Sequence, residues 1–263
     1  MIRIALPLSS LSPQGEGLYA QAAPLGQVIP YPHKPVPAAR FAPRENDATH
    51  WRPGHDRTCR HTELFASADD ASGAALALAF AHTPNDHRPW LWVQDKTAIR
   101  QSGRPYRPGL PPSLRHRLIH VAADKPQDAL FALEEGLRCR DLAFVIGEIA
   151  GNPAALDFTA SRRLSLVSER HGIPLWLVRL NARHDLGSAR MRWDVASASS
   201  PPPQWNPQGP GDPRWQAGLF RAHTFQPGQW IVGHDGQDPD LRVFTPDHGG
   251  VVSGAADRSL ASA

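Results

Sequence analysis

Cysteine is scarce in this chain of 263 residues, where only Cys59 and Cys139 occur, far apart. So few cysteines at such spacing exclude a disulfide scaffold and a cysteine-rich zinc site, and they fit a reducing compartment, so a cytoplasmic protein is expected. Lysine is nearly as rare. Lys34, Lys96 and Lys125 are the only ones among 28 Lys and Arg, so the positive charge is arginine, which pairs well with phosphates, carboxylates and aromatic faces. The arginines are scattered rather than gathered in one run, and with a net charge of +3 they suit a GC-rich coding sequence better than a built nucleic-acid surface. No apolar run approaches the roughly 20 residues of a membrane helix. The apolar start "IALPLSSLS" is broken at Pro7 and Ser9, against a signal peptide. There is no Gly-x-Ser-x-Gly elbow to support serine chemistry, and no internal repeat.

Proline and glycine, in contrast, are abundant at 27 and 21, too many for a chain ordered from end to end. Residues 1–58 carry Pro7, Pro13, Pro24, Pro30, Pro43 and Pro53 with no apolar period, and a disordered leader is expected there. Its "SSLSPQGEGLYAQ" reads like translated intergenic sequence, which suggests a misplaced start codon. From residue 59 to 200 the pattern becomes that of a folded core. Short, nearly continuous apolar runs at 90–94, 117–121, 142–146 and 175–180 read as strands buried on both faces of a mostly parallel sheet. Between them the spacing predicts two helices. One runs from Pro126 to Arg140 on an Ala129, Leu130, Leu133, Leu137 stripe, and the other is capped by Asn152, starts at Pro153 and closes at Gly172. Helix alternating with strand gives an α/β fold. Residues 188–198 alternate as a half-exposed strand with Met191, Trp193 and Val195 on one side. A Pro- and Trp-rich connector and a β-hairpin around Gln226-Pro227-Gly228 fill 201–246, and 247–263 read as a flexible tail.

The stretch "TELFASADDASGAALALAFA", residues 62–81, has the layout of a phosphate-binding loop: an apolar strand at Leu64-Phe65, a small-residue loop ending Ser72-Gly73, then a helix carrying Leu76, Leu78 and Phe80. The groups that do the chemistry are missing. A working loop of this kind uses a lysine on the β and γ phosphates and a Ser or Thr hydroxyl on magnesium, and Ala74 and Ala75 supply neither. Asp69 and Asp70 would also repel an anion.

The motifs "HTELFA", "RPWLWVQD", "GRPYRPGL", "DALFALEEGLRCRDLAFVIGEI", "LDFTASRRLSLVSERHGIPLWLVRL" and "SARMRWDVASA" together cover about half the chain. In their order this chain resembles the RecA-like core, and more closely the ImuA family of RecA-related accessory proteins found beside error-prone polymerases. The resemblance implies an α/β RecA-like core with a mostly parallel central sheet flanked by helices, plus the C-terminal β-hairpin extension. It implies a role in SOS-induced translesion synthesis with an ImuB-like protein, an error-prone replicative-type polymerase and RecA as partners. Cofactor and metal are both expected to be none, and any DNA contact indirect. Where RecA has a carboxylate that activates water, this chain has Gln94-Asp95-Lys96. Where it has a magnesium-organising aspartate, the chain reads Ile146-Gly147-Glu148, either a residual carboxylate for a metal or a solvated strand end. Arg179 stands where RecA has a polar phosphate sensor, and suits either an anion or a salt bridge. The alternatives to a non-catalytic adaptor are a residual nucleotide-binding or weak ATPase function through Ser72, Gly73 and Glu148, and a SulA-like division inhibitor.

Further candidates are contacts. Arg162 and Arg163, with Arg170, form a basic helix surface suited to phosphate or to ion pairs with Glu169. Arg104, Tyr106 and Arg107 lie between rigid prolines in a loop suited to recognition, or to covering a sheet edge. Trp205 and Trp215 in the connector can anchor a partner or strap the connector to the core. His55, Cys59 and His61 have zinc-like spacing but no fourth ligand. His116 and His120 flank a strand and read as a surface and a core residue.

Overall fold

The computed structural model describes residues 50–54, 60–203, 205–234 and 241–244. Most of the expected leader, the tail after 247, and the His55 and Cys59 candidates lie outside these residues. The chain forms an α/β fold around one nine-stranded sheet. In chain order its strands are β1 His61–Ala66, β2 Trp90–Asp95, β3 Leu118–Ala123, β4 Val145–Ala150, β5 Leu175–Leu180, β6 Met191–Ser197, β7 Arg214–Ala222, β8 Gly228–Gly233 and β9 Arg242–Phe244. In space the order is β3-β2-β4-β5-β1-β6-β7-β8-β9. The pairings from β3 across to β6 are parallel. Those from β6 to β9 are antiparallel. The C-terminal strands thus continue the same sheet.

The helices are α1 Ser72–Ala81, α2 Lys96–Ser102, α3 Pro112–Arg115, α4 Pro126–Arg138 and α5 Phe158–His171. Pro126 opens α4 with its fixed φ, Asp128 and Arg138 complement the two ends of the helix dipole, and Ala129, Leu130, Leu133 and Leu137 bury one stripe. The second predicted helix starts later than its sequence suggested. Asp157, not Asn152, caps it by accepting from the Ala160 amide at 2.7 Å. Asn152 instead holds the 183–185 segment, accepting from Arg183 N and donating to Asp185. Gly172 ends α5 at φ 73, a left-handed cap that Cβ-bearing residues adopt at a cost.

Two apolar layers cover the two faces of the sheet. Leu133, Leu137, Leu164, Ile149 and Leu177 build one, beneath α4 and α5. The other lies under α1 and is unusually aromatic, with Trp90, Trp92, Trp176, Trp193, Trp215 and Trp230. Trp51, from the stretch read as leader, is 0% exposed at its centre, edge-on to Phe80, Trp193 and Trp230 with centroids 5.6, 4.8 and 5.3 Å away. The fold therefore reaches back past residue 59.

Candidate functional site

The loop after β1 emerges in the middle of the sheet, between the carboxyl ends of β5 and β6, where open α/β sheets place their ligands. Its backbone is fixed from both sides: Ala68 N donates to Asn181 Oδ1 at 3.0 Å, and Asp70 N to Ser67 O at 3.3 Å. Asn181 itself sits at φ 51. Gly73 then lets α1 lie flat on the sheet. A Cβ there would stand 2.7 Å from Ala66 Cβ and 3.0 Å from a Val178 methyl, so packing against β1 and β5 is enough to require the glycine.

Asp70 takes the position an anion would want. Its Oδ1 accepts from Ser72 N at 2.9 Å, at the start of α1, and from Ser197 Oγ at 2.7 Å, while Oδ2 accepts from Ser197 N at 2.7 Å. Burial opposes ionisation here, but the bonds from the Ser197 hydroxyl and amide and from Ser72 outweigh it and hold the carboxyl below its usual range. A carboxylate bonded to the end of β6 thus occupies one of the free amides of the helix N-terminus. Asp69 is exposed, Ser72 is buried, and Ala74 and Ala75 are half-buried against the aromatic layer.

Glu148 corrects the strand boundary drawn at 142–146. The strand runs from Val145 to Ala150, with Leu142, Ala143 and Phe144 buried as its lead-in, so Glu148 falls inside it, opposite Gln94 and Val178. It is 2% exposed, not a solvated strand end. Its oxygens accept from Trp92 Nε1 at 3.2 Å, Gln94 Nε2 at 2.7 Å and Ser102 Oγ at 2.7 Å. Burial pushes its pKa up against the pull of these donors. Gln94 passes the network on to His120 at 2.9 Å. Gly147, beside it, gives room to Leu133 and Leu177. Asp95 is spent as the cap of α2, accepting from Ala98 N at 2.6 Å. Among the described residues no group of three or more His, Cys, Asp or Glu side chains is placed to hold a metal ion.

Arg179 is 1% exposed and is therefore not a surface contact. It reaches Asp185 Oδ2 at 3.1 Å and Glu63 Oε1 at 3.8 Å. Arg192 binds the other Glu63 oxygen at 2.7 Å, and both guanidiniums stack on Phe65. A salt bridge was one of the two roles the sequence allowed Arg179, but its partners were not legible, because the strand was placed at Leu64-Phe65 whereas His61, Thr62 and Glu63 form its buried first half. Trp215 also leaves the surface: it lies in β7, buried, edge-on to His234. Trp205 is the reverse, 85% exposed. Tyr106 and Arg104 are exposed, and Arg107 donates to Leu118 O at 3.3 Å, which ties that loop to edge strand β3. Arg163 pairs with Glu134 at 2.6 Å, bridging α5 to α4, while Arg162 is exposed. His116 is exposed.

Two clefts of about 250 Å³ each lie away from the loop. One opens at the amino ends of β1, β4 and β5, among Phe80, Phe144 and Trp176. The other lies along α5, over Ser165 and Ser188. No protein-family model matches the chain, and no curated protein is similar to it.

Proposed function

We propose that this chain is a RecA-like, non-catalytic accessory protein of SOS-induced, error-prone translesion DNA synthesis. It acts as an adaptor that contacts an ImuB-like protein, an error-prone replicative-type polymerase and RecA. The observation that carries the reading is Asp70. Its carboxylate accepts from the first amide of α1 and from both donors of Ser197, so a nucleotide phosphate arriving at this helix end would meet a fixed negative charge. The chain brings no lysine to offset that charge, since Ala74 and Ala75 follow Gly73. Gly73 is accounted for by helix packing alone. Trp205, exposed beside a run of prolines, supports the adaptor half, because a large rigid side chain anchors an interface at low entropic cost.

The test has two arms. Titration of the purified protein with a fluorescent ATP analogue is expected to give no saturable signal, and saturable binding abolished by Gly73→Trp would establish a nucleotide-binding protein instead. Affinity purification of the tagged chain from its own host after DNA damage, read by mass spectrometry, is expected to recover an ImuB-like protein, the polymerase or RecA. Recovery of none of them, with the bait well expressed, sinks the adaptor reading.

A further inference from the structure

We propose that the cleft along α5 is an oxyanion site that takes a phosphate group carried on a flat apolar body. It lies between the outer face of α5 and the 187–190 segment that leads into β6. Three guanidiniums ring it, those of Arg162, Arg190 and Arg221. The single carboxylate on the rim, Glu169, is engaged by Arg190 at 2.8 Å. Arg162 has no partner among the described residues, and Arg221 has only a long bond to Gly187 O at 3.4 Å. Beneath Gly187 lies a second carboxylate, Glu63, close enough that a Cβ on residue 187 would be 3.1 Å from both of its oxygens. That charge is already met by Arg192 and Arg179. The cleft therefore presents an excess of positive charge with no free acid to quench it, the condition for capturing an anion.

The floor supplies donors of a different kind. Ser165 and Ser188 line it, with their hydroxyl oxygens 2.6 Å apart. Behind them His61, fully buried, places Nδ1 2.7 Å from Ser165 Oγ. Burial keeps this imidazole neutral, so it donates through one nitrogen only. When that nitrogen is Nδ1, the proton order runs outward: His61 donates to Ser165, Ser165 to Ser188, and the Ser188 hydroxyl turns its hydrogen to the cleft. Ser161 Oγ, the other acceptor within reach, is 3.3 Å away and already accepts from Ser188 N. A buried chain of hydroxyls backed by a histidine is a costly arrangement for a surface dimple, and a tetrahedral oxyanion is the ligand whose acceptors match it together with the guanidiniums.

The lip sets the rest of the ligand. Phe158 and Leu166, 47% and 51% exposed, stand on α5 on either side of Arg162 at i, i+4 and i+8, so an apolar face runs beside the cation. The volume of 250 Å³ equals about eight water molecules at ~30 Å³ each, room for a phosphate and one ring. Arg162 was singled out in the sequence as a phosphate contact on charge alone, and the cleft gives that residue a pocket. The same chemistry is offered by a free phosphomonoester and by one nucleotide of a nucleic-acid strand.

This proposal does not depend on the adaptor reading, since its test needs only the purified full-length chain. Phenyl phosphate, inorganic phosphate and a dT oligonucleotide are titrated in turn, followed by 31P line broadening and calorimetry. Phenyl phosphate is expected to bind saturably, more tightly than inorganic phosphate, and Arg162→Gln and Ser188→Ala should each weaken it about tenfold, the worth of one charge-assisted or buried hydrogen bond. Arg100→Gln, on a different helix, should not. Arg162 is exposed and its variant keeps the fold; melting curves check Ser188→Ala. If the oligonucleotide competes with phenyl phosphate, the physiological source is a strand; if it does not bind, the source is a free ester. Either result supports the site. Absence of saturable binding, or binding that Arg162→Gln leaves unchanged, which would mean an adventitious ion only, overturns it.

Discussion

The most consequential single residues in this fold are polar ones inside it. His61 is fully buried at the start of β1, and burial, the leading cause, lowers its pKa from 6.5 to about 4. Between those values the unfolded chain binds a proton at this residue and the folded chain does not, so stability falls as pH drops through that window and is fully retained above 6.5. The contribution is roughly 3 kcal/mol by proton linkage. Urea midpoints measured at pH 7 and pH 4.5 should therefore fall steeply in the wild type and much less in His61→Gln; equal slopes would show that the imidazole is not held neutral. Asp70 works in the same direction at lower pH. Its depressed carboxyl stabilises above the ordinary 3.8 and loses that effect as pH falls through its lower folded value. Acid unfolding should consequently bring wild type and Asp70→Asn together at the lowest pH and separate them at neutrality.

At the scale of the element, the unit β1–loop–α1 is a packing solution. Gly73→Val would force a methyl-bearing carbon into Ala66 and Val178, and overpacking of this kind costs about 1–3 kcal/mol, which chemical denaturation will read directly. A variant as stable as wild type would mean that the helix can lift off the sheet and that the glycine is kept for another purpose. The existence of β1, β2, β4, β5, α1 and α4 was legible in the sequence, because short apolar runs and a 3.6-residue stripe report burial directly. Their ends were less so. "LAFVI" and "VIGEIA" are both apolar enough to be the strand, and only the pairing of Val145 with Leu91 and Leu175 decides for the second. For α5, Asn152-Pro153 and Asp157 are both good starts, and tertiary contacts of Asn152 with Arg183 and Asp185 draw it away from the helix. Of the candidate site, the absent lysine and the small-residue loop could be read from the chain. The roles of Asp70 and Arg179 could not, since Ser197 and Glu63 lie in distant segments that only the sheet order brings to them, and Asp185 reaches Arg179 only through the turn of the chain after β5.

At the scale of the molecule, the aromatic layer ties the first described residues to the last strands. Trp51 fills the space between α1 and β6–β8, touching Phe80, Trp193 and Trp230. Trp51→Ala should cost about 3–5 kcal/mol, the usual penalty for emptying a tryptophan site, and guanidinium unfolding followed by circular dichroism measures it. A loss under ~1 kcal/mol would mean that the segment is dispensable, and that a chain begun at residue 59 keeps its full stability. Composition pointed the other way: the prolines around Trp51 mark an irregular path, and irregular does not mean unpacked.

The position of β1 in the sheet has a consequence for how the chain reaches its native state. β1 is the first strand among the described residues and the central one of the sheet, yet its two neighbours, β5 and β6, are among the later segments to leave the ribosome. Until they arrive, both edges of β1 stand open, the situation in which exposed strands stick to one another. The histidine, threonine and glutamate of its first half then act as gatekeepers in the nascent chain, charged or hydrated while the strand waits, and they become buried polar groups and an ion pair of the finished core once Leu175 and Met191 close on either side.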